Sequence, residues 1–171
     1  MLLGALLFGM AGPANGQVDE LTVKAVALEK IARFVEWPGS SSGPFVLGLA
    51  GRAPLFAQVE KIYSAVEIKG RPVQIRQVES PAELRSCHLL LLAEVAEKRL
   101  QEVLAATRGK PILTVADAQG LADKGVLLSL YILDQKLRFE VNEGAFRKSG
   151  LEVNPLLLKV ARVVNPTGGL R

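Results

Sequence analysis

The sequence predicts a single α/β domain: a three-layer α/β/α sandwich on a mainly parallel sheet, with an antiparallel edge hairpin. Three observations carry this. Strand-like and helix-like segments alternate through the middle of the chain. The central strands are continuous apolar runs, as suits strands covered on both faces. The segment from Lys136 to Asn142 instead alternates apolar and polar residues, the pattern of a strand with one solvated face. At 171 residues, with 49% hydrophobic and 22% charged residues, the chain has the size and composition of one folded domain with a continuous core.

The elements follow in order. Leu2 to Ala11 is an uncharged apolar run, about half the ~20 residues a membrane-spanning helix needs. Small residues at Ala14 and Gly16 follow it, so residues 1–16 read as a secretory signal segment cleaved near Gly16/Gln17. No basic n-region precedes the run, and the leader is expected to begin upstream. Leu21, Ala25, Leu28, Ala32 and Val35 recur at helical spacing, and Pro38 should stop that helix at Trp37. A Ser/Gly loop leads into a buried strand, Phe45 to Ala50. Pro54 opens a second helix along Leu55, Phe56, Val59, Ile62, Tyr63 and Val66. Pro72 to Val78 reads as a half-exposed strand, and Ser80-Pro81-Ala82-Glu83 as a capping box. His88 to Ala93 is the central strand. A helix through Ala96, Leu100, Val103 and Leu104 ends near Gly109, and Ile112 to Ala116 and Val126 to Leu133 are further strands. Asp134-Gln135 is a two-residue turn into the hairpin partner, Lys136 to Asn142. Asn154-Pro155 caps a last helix expected to run through Val164, and 165–171 is expected to form a flexible tail.

The chemistry that this composition permits is narrow. One cysteine and one histidine leave little for metal binding or thiol catalysis, and no metal site or cofactor is expected. A net charge of 21 − 17 = +4 without a basic stripe gives no nucleic-acid signature. Gly48-Leu49-Ala50-Gly51-Arg52 sits where a phosphate loop would, but it matches neither phosphate-loop pattern and reads as a tight strand-to-helix turn. Gly51, Arg52 and Asp117, with Glu79 and Glu94, are the residues expected at the carboxyl ends of the strands, where open α/β sheets hold ligands. They define a candidate ligand cleft. His88 opens a buried strand and reads as packing rather than as a catalytic base, so no catalytic residues are assigned. Cys87 has no internal partner and reads as a small buried hydrophobe, with a redox role as the alternative.

One ordered set of motifs is more specific than its pieces. A first helix ending in Phe34-Val35-Glu36-Trp37-Pro38 resembles the opening of the YfiR family. Gly70-Arg71-Pro72-Val73, Cys87-His88-Leu89-Leu90-Leu91-Leu92, Leu113-Thr114-Val115-Ala116-Asp117, Leu137-Arg138-Phe139-Glu140-Val141-Asn142 and Leu156-Leu157-Leu158-Lys159-Val160-Ala161 are similar to its later segments, in the same order. The resemblance spans about residues 21–164, within a domain expected over 17–164. It implies a periplasmic, non-enzymatic signalling regulator, often dimeric. Such a protein represses a membrane-bound diguanylate cyclase by binding its periplasmic domain, so lowering cyclic di-GMP and with it biofilm formation, and is itself sequestered by an outer-membrane lipoprotein. Two departures stand out. Some members carry disulfides, which a single cysteine excludes within this chain, and 119–125 lacks the family's G-G-hydrophobic sequence. The expected partner-binding residues are Phe34, Glu36 and Trp37 at the end of the first helix, and Arg138 and Glu140 on the solvated face of the hairpin strand. The rival readings are a small-ligand sensor using the strand-end cleft and an envelope hydrolase.

Overall fold

Residues 19–39 and 42–165 are described in a computed structural model of the chain. The expected leader over 1–16 and the tail beyond Asn165 lie outside them. Helix α1 (Glu20–Arg33) buries Ala25, Leu28, Ile31 and Ala32 at the predicted spacing. It stops at Arg33, four residues before the expected end at Trp37. Val35–Glu36 instead form a short strand, β1, paired antiparallel with β9 (Glu152–Val153) through Val35 opposite Val153. A β-branched residue gains more from that ladder than from a frayed helical turn.

The strands β2 (Phe45–Gly51), β5 (Leu89–Ala93) and β6 (Leu113–Ala116) form the expected buried parallel centre. On one side lie β4 (Arg71–Gln77), parallel to β2, and the short β3 (Glu67–Ile68), antiparallel to β4. On the other, β7 (Leu128–Leu133) runs parallel to β6 and antiparallel to β8 (Lys136–Asn142). The Asp134-Gln135 turn has positive φ at both residues, 50° and 59°, as a tight hairpin with right-handed twist requires. The sheet has eight strands in the order β10-β8-β7-β6-β5-β2-β4-β3.

That order corrects two expectations. The last helix, α6 (Pro155–Val160), ends early, and Arg162–Val164 form β10, parallel to β8. The hairpin is therefore not the sheet's edge. Paired β-branched residues at Val163 and Val164 favour the strand, and Arg162 is drawn to Glu140 on β8. A further helix, α5 (Glu143–Ser149), was not foreseen; the side chain of Asn142 accepts the Ala145 N–H at 2.8 Å and caps it.

Two cores result. On one face Phe45, Leu47, Leu49, Leu89 and Leu91 pack with α1 and with α2 (Pro54–Tyr63). On the other, Val46, Ala50, Leu90 and Leu92 pack with α3 (Pro81–Arg85) and α4 (Glu97–Thr107). The Ser80 capping box is formed in both directions, Glu83 N–H to Ser80 Oγ at 3.3 Å and Ser80 N–H to Glu83 Oε2 at 2.8 Å. The period-two alternation of β2 thus divides the three layers.

Candidate functional site

At the carboxyl ends of β2, β4 and β5 the structure brings together Gly51, Arg52, Glu79, Glu94 and Arg99 around an open cleft of about 350 Å³. Its floor is set by backbone contact. Gly51 has φ +97°, and a Cβ there would stand 1.9 Å from the carbonyl oxygen of Ala93, so only glycine lets the two strands approach. Arg99 is committed to Glu102 and to the Val78 carbonyl, whereas Arg52 is exposed. Asp117, expected in this cleft, is elsewhere. Its carboxylate accepts from Lys24 Nζ of α1 at 2.7 Å, with both side chains largely buried, so it ties the first helix to the sheet.

The amino ends of the same strands carry a different arrangement. Trp37 is half-buried; its ring meets Phe45 edge-on with centroids 5.1 Å apart, and its Nε1–H donates to the His88 carbonyl at 3.1 Å. The His88 ring stacks on Phe45 at 5.0 Å, and its Nδ1 accepts the Val46 N–H at 3.0 Å. The Arg71 guanidinium lies over the other part of this cluster, 5.9 Å from the Phe45 centroid, donating to the Gly43 and Pro44 carbonyls. Burial first, then the charge of Arg71, pushes the His88 imidazole below its ordinary value of 6.5. His88 is thus a joint between strands and the terminal rings. A pit of about 300 Å³ opens beside it, lined by Trp37, Arg85, Cys87, His88 and Lys110. The sequence reading missed Arg85 and Lys110 as companions of Trp37, and Arg71 as the companion of Phe45 and His88, because they arrive from α3, the loop before β6 and β4. The Gly70-Arg71-Pro72-Val73 motif was the one local signal for Arg71.

Cys87 is buried, and burial pushes its thiol up to about 11. Its Sγ contacts the Glu83 carbonyl at 3.3 Å and packs against Gly48, where a Cβ would stand 2.6 Å away. The thiol lies in the core cluster of the α3 and α4 face. Of the remaining expected residues, Phe34 is 38% exposed and Glu36 is exposed beside Lys69. Arg138 is exposed, but Glu140 is not: the expected solvated face holds only its neighbour. The Glu140 carboxylate accepts the Gly120 N–H at 2.9 Å and the Tyr131 hydroxyl at 3.3 Å, and pairs with Arg162 at 2.9 Å. β10 and the 118–125 loop close over the position that the alternation assigned to solvent. Among the described residues, no group of three or more His, Cys, Asp or Glu could hold a metal ion, and no helix is long and apolar enough to cross a membrane.

The chain is of the α/β class, a single domain on a mainly parallel sheet; the family follows from comparison with known proteins. The family DUF4154, described as YfiR/HmsC-like, matches residues 21–162, and the chain belongs to it. The fold also matches a solved structure of the ABC domain in complex with L-Trp from Streptococcus pneumonia. The TM-score is 0.55 at 13% identity, over 84% of this chain and 60% of that one. The chain thus spans less than two thirds of that structure, and the likeness is one of fold.

Proposed function

We propose that the chain is a periplasmic, non-enzymatic regulator that represses a membrane-bound diguanylate cyclase through contact with the cyclase's periplasmic domain. Membership of the YfiR/HmsC-like family supports regulation of diguanylate cyclase signalling from the periplasm. The observation that carries the contact reading is the surface run Phe34, Glu36 and Trp37, in which a large apolar side chain stands 38% exposed beside a half-buried indole. Leu156 and Val160, 57% and 70% exposed on α6, add apolar surface on a helix whose start is tied to this run by the Asn154 N–H to Phe34 carbonyl bond at 2.8 Å. Tryptophan is among the residues enriched in binding hot spots.

Expression beside its cognate cyclase should lower cyclic di-GMP. Phe34→Ser and Arg138→Glu should keep the melting temperature while raising cyclic di-GMP towards the level without the regulator. If both variants fold normally and repress fully, the surface is misassigned; if the unaltered chain leaves cyclic di-GMP unchanged, repression is wrong. An outer-membrane lipoprotein and a second copy of the chain are further partners that this reading calls for, and co-purification from membranes tests the first.

A second reading, a small-ligand sensor, is favoured by the cleft at Gly51 and Arg52. It lies where the chain reverses its direction of progress across the sheet, the place where open α/β sheets bind ligands. A saturable rise in melting temperature with one compound of a metabolite panel, abolished in Arg52→Glu, would favour it.

A further inference from the structure

The pit beside His88 is one-signed. Arg85 at the end of α3 and Lys110 before β6 both line it and both are exposed, yet none of the ion pairs among the described residues engages either. The lining holds no carboxylate. Glu83, two residues before Arg85, is turned back onto the Glu79 and Ser80 amides. Among the described residues the nearby positive charge is thus uncompensated, in contrast to Arg147, Arg162 and Lys124, which all have acidic partners.

A second observation points the same way. The His88 Nδ1 accepts the Val46 N–H, so the neutral ring carries its proton on Nε2. The Arg71 Nη2, itself a donor, stands 3.2 Å from that Nε2. Two donors therefore face each other with no acceptor between them, while Arg71 has no carboxylate partner among the described residues. An oxygen acceptor bearing negative charge satisfies both.

We propose that this end of the sheet seats an acidic segment of a protein partner, its carboxylates received by Arg85, Lys110 and the Arg71–His88 donor pair, with its apolar flank on Trp37. This deepens the regulatory reading and rests on it for the partner, while the site itself can be tested without one. A peptide is favoured over an extended anionic surface because Arg85, Lys110 and His88 line a pit walled by Trp37, with Arg71 reaching it through His88, which selects a side chain rather than a plane of headgroups.

Trp37 is the chain's one tryptophan, so its emission reports on this pit alone. Titrating the full chain with a hexaglutamate peptide should change the emission saturably. Raising the salt from about 20 mM to about 500 mM should abolish the change. Arg85→Glu/Lys110→Glu should bind about tenfold more weakly at an unaltered melting temperature, since both side chains are exposed. Lys61→Glu/Lys98→Glu, an equal charge change away from the pit, should bind like the unaltered chain. Should the first reversal unfold the chain, Arg85→Gln/Lys110→Gln takes its place, with about threefold weakening expected. Absence of saturable binding, equal binding by the pit variant, or a response to phosphatidylglycerol vesicles but not to the peptide would each overturn the site. Peptide binding without any effect on cyclic di-GMP keeps the site and overturns the repressor reading; repression without peptide binding does the reverse.

Discussion

At the carboxyl ends of β2, β4 and β5 the surface is shaped by backbone, whereas at the amino ends of the same strands it is shaped by side chains. The first end has Gly51 pressed against the Ala93 carbonyl, a left-handed Glu94 with φ 51°, and charges of both signs around the cleft. The second has Trp37, Phe45 and His88 in ring contact under Arg71, and only cations in the pit beside them. The difference matters for function. A backbone-built cleft with compensated charge suits a small ligand of mixed polarity, while an aromatic, one-signed surface suits a partner that brings its own acid. Because both ends belong to the same strands, each can be perturbed while the other serves as its control.

The largest effect is expected at the carboxyl end. Gly51→Ala places a methyl group against backbone that has no room to yield and imposes a positive φ on a residue with a Cβ. A loss of roughly 3 kcal/mol or more is expected by urea denaturation. Gly70→Ala, at φ +69° but with nothing within 4 Å, should lose only about 1 kcal/mol. Equal losses would show that the strands do not need this close approach.

Next comes the connection between the two ends. The loop leaving β6 returns to the start of β7 with Gly120 bonded to Glu140, which Arg162 holds from β10. Glu140→Ala removes that anchor and leaves the Gly120 N–H unpaired, at an expected loss of about 3 kcal/mol. Arg138→Glu, two residues away and exposed, should stay within about 0.5 kcal/mol. A neutral Glu140→Ala would return that residue to the solvated face on which the alternation placed it.

That pair of residues shows what the sequence could and could not convey. Periodicity located β2, β5, β6, the hairpin and α1 to within a few residues, because their patterns are set by burial against neighbours on each face. It put Arg138 outside correctly. It put Glu140 outside wrongly, because the cover comes from Arg162 and the 118–125 loop, and no local pattern announces a carboxylate closed in by a strand 22 residues later. The same limit hid the acceptor-poor pit: Trp37 was legible from its motif, but Arg85 and Lys110 meet it only through the order of strands.

The amino end has its own pH signature. His88 is depressed below 6.5 by burial and by Arg71, so the folded chain binds fewer protons there than the unfolded one. Its contribution to stability is therefore complete above about pH 6.5 and is lost as the pH falls towards the folded value. Glu83 and Glu97, held below 4.5 by hydrogen bonds from Ser80 and Glu79 and from Lys124 and Gln101, lose theirs only at lower pH. Urea midpoints at about pH 7.5 and about pH 5.5 should thus fall for the unaltered chain and stay nearly level for His88→Asn, whose side-chain oxygen can still accept the Val46 N–H. Equal falls in both would remove His88 from the account.

The smallest effect is expected at Cys87, one residue before His88 and facing the opposite core. Burial raises its thiol to about 11 from an ordinary 9.0, with the Ser86 and Arg76 influences too weak to reverse this. At pH 8 the thiolate fraction should then be roughly a hundredfold lower in the folded chain than in the unfolded one, and the thiolate is the reactive form. Alkylation by iodoacetamide should therefore be slow in buffer and fast in urea. Cys87→Ser keeps a group that can donate to the Glu83 carbonyl and loses only a little volume against Gly48 and Leu90, at an expected cost of about 1 kcal/mol. Fast alkylation of the folded chain would mean that this end opens readily, and the aromatic surface around Trp37 would then be a moving one. Slow alkylation with an intact Cys87→Ser fixes the comparison at its sharpest: the amino end of the sheet is rigid, reduced and closed to thiol chemistry, and what it presents to a partner is charge and aromatic surface alone.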